Sequence, residues 1–336
     1  MANIRYLCGF SGSNGLLLVE PHRSTLFTDS RYTFQAREEV WEARIHIASH
    51  GLLAALGDAL KSRRARPTRV RLGYAPGQLT VAQKATLETS VGSRVRWIDA
   101  TNAVEKLRAI KDKSELATLR QAAVLISDVF RASVRKIRVG MSELDVAAEI
   151  EYLMKRKGAS GPAFETIVAA GPRCAWAHAR PTSKRLGRNE LVVLDQGAIL
   201  RGYCSDMTRT VFLGRPPAKV KRLYKAVLEA QEAAKAAIRP GIVAADVDAA
   251  ARRVLKRRGF GRYFTHSTGH GLGSEVHEIP RLGRGDKTRL EEGMVVTIEP
   301  GAYLEGLGGV RIEDDVVVTS TGAVDLTNAP RDFIEL

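Results

Sequence analysis

The stretch LVVLDQGAILRGYCSDMTRT (191–210) sets two acids, Asp195 and Asp206, either side of a Leu200-Arg201-Gly202 turn. The flanking runs are apolar and strand-like. A carboxylate inside such a run is costly to bury unless something positive compensates it. The stretch TIEPGAYLEGLGGVRIEDDVVV (297–318) repeats the layout, with Glu299 and Glu313 flanking Gly301, Gly306, Gly308 and Gly309. Each stretch reads as an antiparallel hairpin that points its two acids at one place. Between them, HSTGHGLG (266–273) supplies His270. Asp195, Asp206, His270, Glu299 and Glu313 together form a metal-ligand set.

Helices are expected before and between the hairpins. Residues 114–137 carry the periodicity of a long amphipathic helix. A second helix is expected over 142–158, with Ser142 as N-cap and Asp145 three residues on. Two more are expected at about 217–238 and 244–258, stopping before Pro240-Gly241 and at Gly259. The order is helix pair, hairpin, helix pair, histidine loop, hairpin. That is one architectural unit used twice, without a residue-level repeat. Residues 1–103 read as a smaller α/β domain. GLLLVE (15–20) and STLFTDS (24–30) look like strands, 50–64 like a helix, and RLGYAPG with RVRWIDA (71–100) like a strand–turn–strand passage. A charged, helix-prone linker over 104–113 leads into the second domain, 104–336. The fold class is therefore α/β (α+β) with two domains.

At 336 residues, 44% apolar and 26% charged, the chain has the make-up of a globular enzyme. No apolar run reaches the roughly 20 residues of a membrane span, and MANIRYLCGF lacks the layout of a secretory signal. Cys8, Cys174 and Cys204 fall at unrelated spacings, which fits neither a disulfide framework nor a thiolate zinc motif. A cytoplasmic location is expected. Cys204 shares a face with Asp206 by period-two alternation and is read as packing. The net charge of +15 gathers in basic runs at 61–71, 219–225 and 251–262. These runs interleave no aromatic platform for single strands and read as solvated surface. A non-catalytic nucleic-acid-binding protein is the alternative of another class, marked by steeply salt-dependent binding.

The five ligands are oxygen-rich with one imidazole. Two divalent cations would offset the four negative charges, held roughly 3.5 Å apart as in two-metal hydrolytic sites. This set favours Mn²⁺ or Co²⁺, then Fe²⁺ or Zn²⁺. A water held between two such ions would lose its proton near neutral pH and become a nucleophile.

IVAAGPRCAWAH (167–178), LVVLDQGAILRGYCSDMTRT, HSTGHGLGSEVHEIPR (266–281), TIEPGAY and GGVRIEDDVVV resemble the metallopeptidases of the pita-bread fold. The resemblance is to their aminopeptidase P and prolidase branch, and it runs from NIRYLCGFSGSNG (3–15) to the C-terminus. It implies a pita-bread catalytic domain behind a creatinase-type N-terminal domain. It implies that Asp195 binds one metal, Asp206 and Glu313 bridge two, and His270 and Glu299 complete the second. Glu299 would also carry a proton from water to the leaving proline nitrogen. His178, His266 and His277 would line the substrate site, with His277 bonded to the developing oxyanion and His178 near the scissile carbonyl. Tyr303 and Arg311 would support the acids. His22, His46 and His50 fall in no motif.

An Xaa-Pro bond lacks the N–H that strand-reading proteases grip, and its ring fixes φ. A dinuclear site can activate it without that N–H. With the substrate's free amino group near the acids and metals, the enzyme would be an exopeptidase. Two activities fit: an Xaa-Pro dipeptidase (prolidase), slightly favoured, or an Xaa-Pro aminopeptidase acting on longer peptides. The dipeptidase needs a cation for the proline carboxylate, and Arg281 is suited to that bidentate grip. The family's N-terminal domain normally has a helix and a strand before the segment matching NIRYLCGF, so the domain is expected to be shortened at its start. The resemblance further implies a homodimer.

Overall fold

The computed structural model describes residues 1–62 and 70–336. Most of the basic run 61–71 and the end of the helix expected over 50–64 lie outside the described residues. The chain forms two compact units, Met1–Arg108 and Ala109–Leu336.

The first unit opens with α1 (Ala2–Cys8), then β1 (Leu16–Glu20), β2 (Arg23–Thr28), α2 (Thr33–Glu39), β3 (Arg44–Ile47) and α3 (Leu52–Lys61). It continues with β4 (Val70–Tyr74), α4 (Val81–Val91), β5 (Val95–Asp99) and α5 (Ala103–Ala109). β1 and β2 form an antiparallel hairpin, and β3 adds in parallel to β2. The passage expected to be strand–turn–strand is a strand–helix–strand. β4 and β5 run parallel, Val70 opposite Val95, and parallel strands need a crossover, which α4 supplies. This compact unit runs to Arg108. Asn3 donates to Glu105 at 2.7 Å and accepts from Arg108 at 2.6 Å, which fastens α5 to α1.

The second unit begins with α6 (Lys113–Val134) and α7 (Glu143–Arg156), each opened by a capping box: Asp112 with Glu115, and Ser142 with Asp145. β6 (Gly161–Pro162) and β7 (Ile167–Ala170) follow, then β8 (Glu190–Gln196), β9 (Ala198–Leu200), β10 (Tyr203–Cys204) and β11 (Met207–Leu213). After α8 (Ala218–Ala237) and α9 (Ala244–Arg257) come β12 (Gly269–Gly271), β13 (Glu278–Leu282), β14 (Val295–Ile298), β15 (Gly301–Leu304), β16 (Gly308–Arg311), β17 (Asp314–Thr319) and β18 (Gly322–Asp325).

Both hairpins are present, and each is bent in the middle. β8 pairs with β11 and the tip pair β9–β10 continues past the bend; β14 pairs with β17 and β15–β16 continues likewise. Alternation along β8 divides the core. Val192 and Leu194 pack with Ile126, Phe130 and Ile150 of α6 and α7, while Leu191 and Val193 pack with Leu223, Val227 and Val254 of α8 and α9. Helices thus cover both faces, which is why these strands read as continuous apolar runs. The basic runs at 219–225 and 251–262 lie on α8, α9 and the turn after α9. Arg258 pairs with Glu229, and Arg252 turns inward to Asp248 at 2.6 Å. All three cysteines are buried and none forms a disulfide. Among the described residues, no helix is long and apolar enough to cross a membrane.

Candidate metal centre

The four acids stand at the bends. Asp195 shares the β8 face of Leu191 and Val193, one residue before the strand ends. Asp206 immediately precedes β11, Glu299 follows β14, and Glu313 precedes β17. The bends abut: the Glu313 N–H donates to the Thr208 carbonyl at 3.1 Å, and the Asp206 N–H to Asp315 Oδ2 at the same distance. His270 arrives on β12, where the Glu299 N–H bonds the Thr268 carbonyl at 2.7 Å and Thr297 Oγ1 accepts from the His270 N–H. Gly269 permits this approach, since a Cβ there would lie 1.9 Å from the Thr297 carbonyl oxygen.

Ligand atoms of Asp206, His270 and Glu313 lie within 4.8 Å of one another. His270 Nε2 is 3.7 Å from Asp206 Oδ2 and 3.6 Å from Glu299 Oε1. His270 Nδ1 lies 3.0 Å from the Gly271 carbonyl, so that nitrogen carries the proton and Nε2 presents its lone pair to the acids. Burial holds this imidazole down at about 4, so it is neutral at physiological pH. Asp195 is gripped by Arg311 through Oδ2 at 2.6 Å. Its Oδ1, like Asp206 Oδ1, is buried with no hydrogen-bond partner among the described residues.

Burial, then the neighbouring acids Glu313 and Asp195, pushes the Asp206 carboxyl well above its ordinary range. Burial, then Glu299 and Asp195, does the same to Glu313, while burial raises Glu299 to about 8. Arg311 is the nearby cation that offsets the rise at Glu299 and Glu313. Four carboxylates against one guanidinium leave a surplus of negative charge, and two buried oxygens are without partners among the described residues. Hard divalent cations fit this donor set.

A relay of hydrogen bonds backs the acids. Arg311 donates to Asp195, to Tyr303 OH at 2.7 Å, to Thr208 Oγ1 at 3.0 Å and to the Ala177 carbonyl at 3.2 Å. Tyr303 OH lies 2.9 Å from His266 Nε2, and His266 Nδ1 lies 2.8 Å from the Ser267 carbonyl. Tyr303 therefore hydrogen-bonds both His266 and Arg311. His178 is exposed on the loop held through Ala177. His277 is exposed with its ring 4.3 Å from that of His270. Arg281 is exposed, opposite His270 in the β12–β13 register, with Nε 3.4 Å from Ser267 Oγ. Cys204 is buried at the hairpin tip beside Leu272 and Leu119, on the far side of the bend from β11. Sequence reasoning missed Thr208, whose Oγ1 lies 2.6 Å from Glu313 Oε2, and Asp315, which holds the Asp206 backbone. Period-two spacing from Asp206 and Glu313 was the signal for both.

Two acid-bearing hairpins converging on one histidine, between two helix pairs, define a hydrolase of the pita-bread class. Residues 117–320 match metallopeptidase family M24 and residues 1–110 match the creatinase/prolidase N-terminal domain; the chain belongs to family M24. It is 38% identical to an Xaa-Pro dipeptidase of Pyrococcus furiosus, covering 99% of this chain and 92% of that one. The structure of an Xaa-Pro dipeptidase from Bacillus anthracis matches with a TM-score of 0.94 at 37% identity, over 99% and 92% of the two chains. That of an X-Pro aminopeptidase from Thermotoga maritima matches with a TM-score of 0.91 at 35% identity, over 100% and 94%.

Proposed function

We propose that this protein is a dinuclear metal-dependent exopeptidase that hydrolyses Xaa-Pro bonds, with Xaa-Pro dipeptides the favoured substrates. The observation that carries the reading is the meeting of Asp206, His270 and Glu313, with Glu299 alongside, at a site edged by the exposed His277. Asp195, Asp206, His270, Glu299 and Glu313 would hold two divalent cations, Mn²⁺ in our reading. Bound there, the cations supply Lewis-acid charge for the scissile carbonyl and acidify the attacking water.

The chain's own residues do the rest. Glu299 takes the proton from water and delivers it to the proline nitrogen. His277 donates to the carbonyl oxygen as charge develops on it. His178 and His266 line the substrate, the latter fixed by Tyr303. Arg281 receives the proline carboxylate as a bidentate partner. A second reading, Xaa-Pro aminopeptidase, is favoured by the similarity to the Thermotoga maritima enzyme; under it, Arg281 grips no terminal carboxylate. We read the protein further as a cytoplasmic homodimer.

The test is hydrolysis of Ala-Pro beside Ala-Pro-Ala by EDTA-stripped protein resupplied with Mn²⁺, with Asp206→Ala as control. Faster cleavage of the dipeptide is expected, and Arg281→Ala should then raise KM for it. Preference for the tripeptide selects the aminopeptidase reading. Cleavage of neither by metal-loaded protein refutes both.

A further inference from the structure

The segment 273–277 that carries His277 contains neither helix nor strand. A buried ion pair holds it. Glu278, the first residue of β13, turns its carboxylate back under the segment. Its Oε1 accepts from the Glu275 N–H at 3.2 Å and from the Ser274 hydroxyl at 3.4 Å. Its Oε2 accepts from Lys111 Nζ at 3.0 Å. The Lys111 and Glu278 side chains are only 1% and 5% exposed. Lys111 is itself a fixed post: its N–H donates to the Gly293 carbonyl at 3.0 Å, and Nζ reaches the Ala109 carbonyl at 3.3 Å. The carboxylate occupies space that only glycine leaves open. A Cβ on Gly273 would stand 2.5 Å from Glu278 Oε2. The segment's other end is tied by the Cys204 N–H to the Gly273 carbonyl at 2.8 Å.

A buried ion pair adds little net stability over well-packed apolar groups, whereas losing one partner leaves an uncompensated charge. What this pair does supply is direction. Glu278 directly follows His277 in the chain, and its register partner on β12 is Gly271, next to His270. We propose that Lys111 and Glu278 are positioning residues that fix the His277 ring against His270 and the substrate carbonyl. The role of His277 rests on the Xaa-Pro reading above; the clamp on its segment is a separate claim.

Three full-length, metal-loaded variants test it: Lys111→Met, the near-isosteric Glu278→Gln, and their combination. Each single change is expected to lower kcat on the preferred Xaa-Pro peptide by about 10–100-fold, as loss of a supporting partner commonly does. KM should move little, because the contact served is made in the transition state. The combined variant, which buries no lone charge, should recover part of the loss. In a His277→Asn background, Glu278→Gln should lower kcat no further. A full multiplicative loss there overturns the proposal, since a merely structural role acts whether or not His277 is present. The second readout needs no peptide. In Zn²⁺-loaded protein with ¹³C-labelled histidine, the His277 ring signal is assigned by its absence in His277→Asn. It should shift in Glu278→Gln while the His22 signal stays put. An unmoved His277 signal overturns the clamp even if kcat falls. A shifted signal in a protein whose wild type cleaves no Xaa-Pro peptide supports the clamp and sinks the functional reading instead.

Discussion

Thr208 shows how much of the site hangs on a small side chain. Its hydroxyl donates to Glu313 Oε2 at 2.6 Å and accepts from Arg311 Nε at 3.0 Å, so one oxygen couples an acid of one hairpin to the guanidinium that grips the other. Thr208→Val keeps the shape and removes both bonds. The buried Arg311 Nε–H would be left unsatisfied, at a cost of about 1–3 kcal/mol, and metal affinity should fall by about 10–100-fold. Thr208→Ser should stay near wild type. Calorimetric metal titration and thermal melts check this; a valine variant that binds metal like wild type removes Thr208 from the site. The meeting of Asp206 and Glu313 beside His270 had a trace in the sequence, because a carboxylate in an apolar run is too costly to bury without a compensating cation. Thr208 carried only the weak mark of its period-two spacing from Asp206, because threonine is an ordinary strand former. The Arg311–Asp195 pair, 116 positions apart, was beyond any local pattern.

At the scale of elements, the sequence spoke clearly where local chemistry and burial agreed. Ser142 and Asp145 mark the start of α7, and the helix begins there. Ser142→Ala should cost about 1 kcal/mol, a drop of roughly 2–4 °C in Tm for a domain of this size. α4 was missed although Thr80 and Gln83 form the same kind of capping box, because few of its residues are buried and its apolar pattern is weak. The bends in the two hairpins were also illegible, since period-two alternation describes a straight strand and carries no sign of where it breaks. Gly269 measures how tightly β12 is set against β14. Gly269→Ala should destabilise by about 1–3 kcal/mol or more through overpacking and displace His270. Melting and metal binding unchanged from wild type would falsify the close approach to Thr297.

For the molecule as a whole, the acid cluster sets function against stability. In metal-free protein, Asp206 and Glu313 are held well above the carboxylate range and Glu299 at about 8, each chiefly by burial. An unfolded chain would release these protons near pH 4. The folded state therefore binds them more tightly. The stabilisation is complete below about pH 4 and is lost as pH rises through the folded values, toward about 8 for Glu299. The EDTA-treated protein should thus melt progressively lower from about pH 5.5 to about pH 8.5. Divalent metal should cancel that fall, since ions bound only by the folded state at about 100 times Kd add about 2.7 kcal/mol. Asp206→Asn separates the two effects. It removes one charge from the crowd, so the metal-free variant should melt above metal-free wild type at the alkaline end, yet gain far less from added Mn²⁺. Scanning calorimetry of both proteins at both pH values, with and without metal, decides it. If Asp206→Asn melts below metal-free wild type at the alkaline end, the four acids do not strain the fold, and the reason for placing two cations among them is lost.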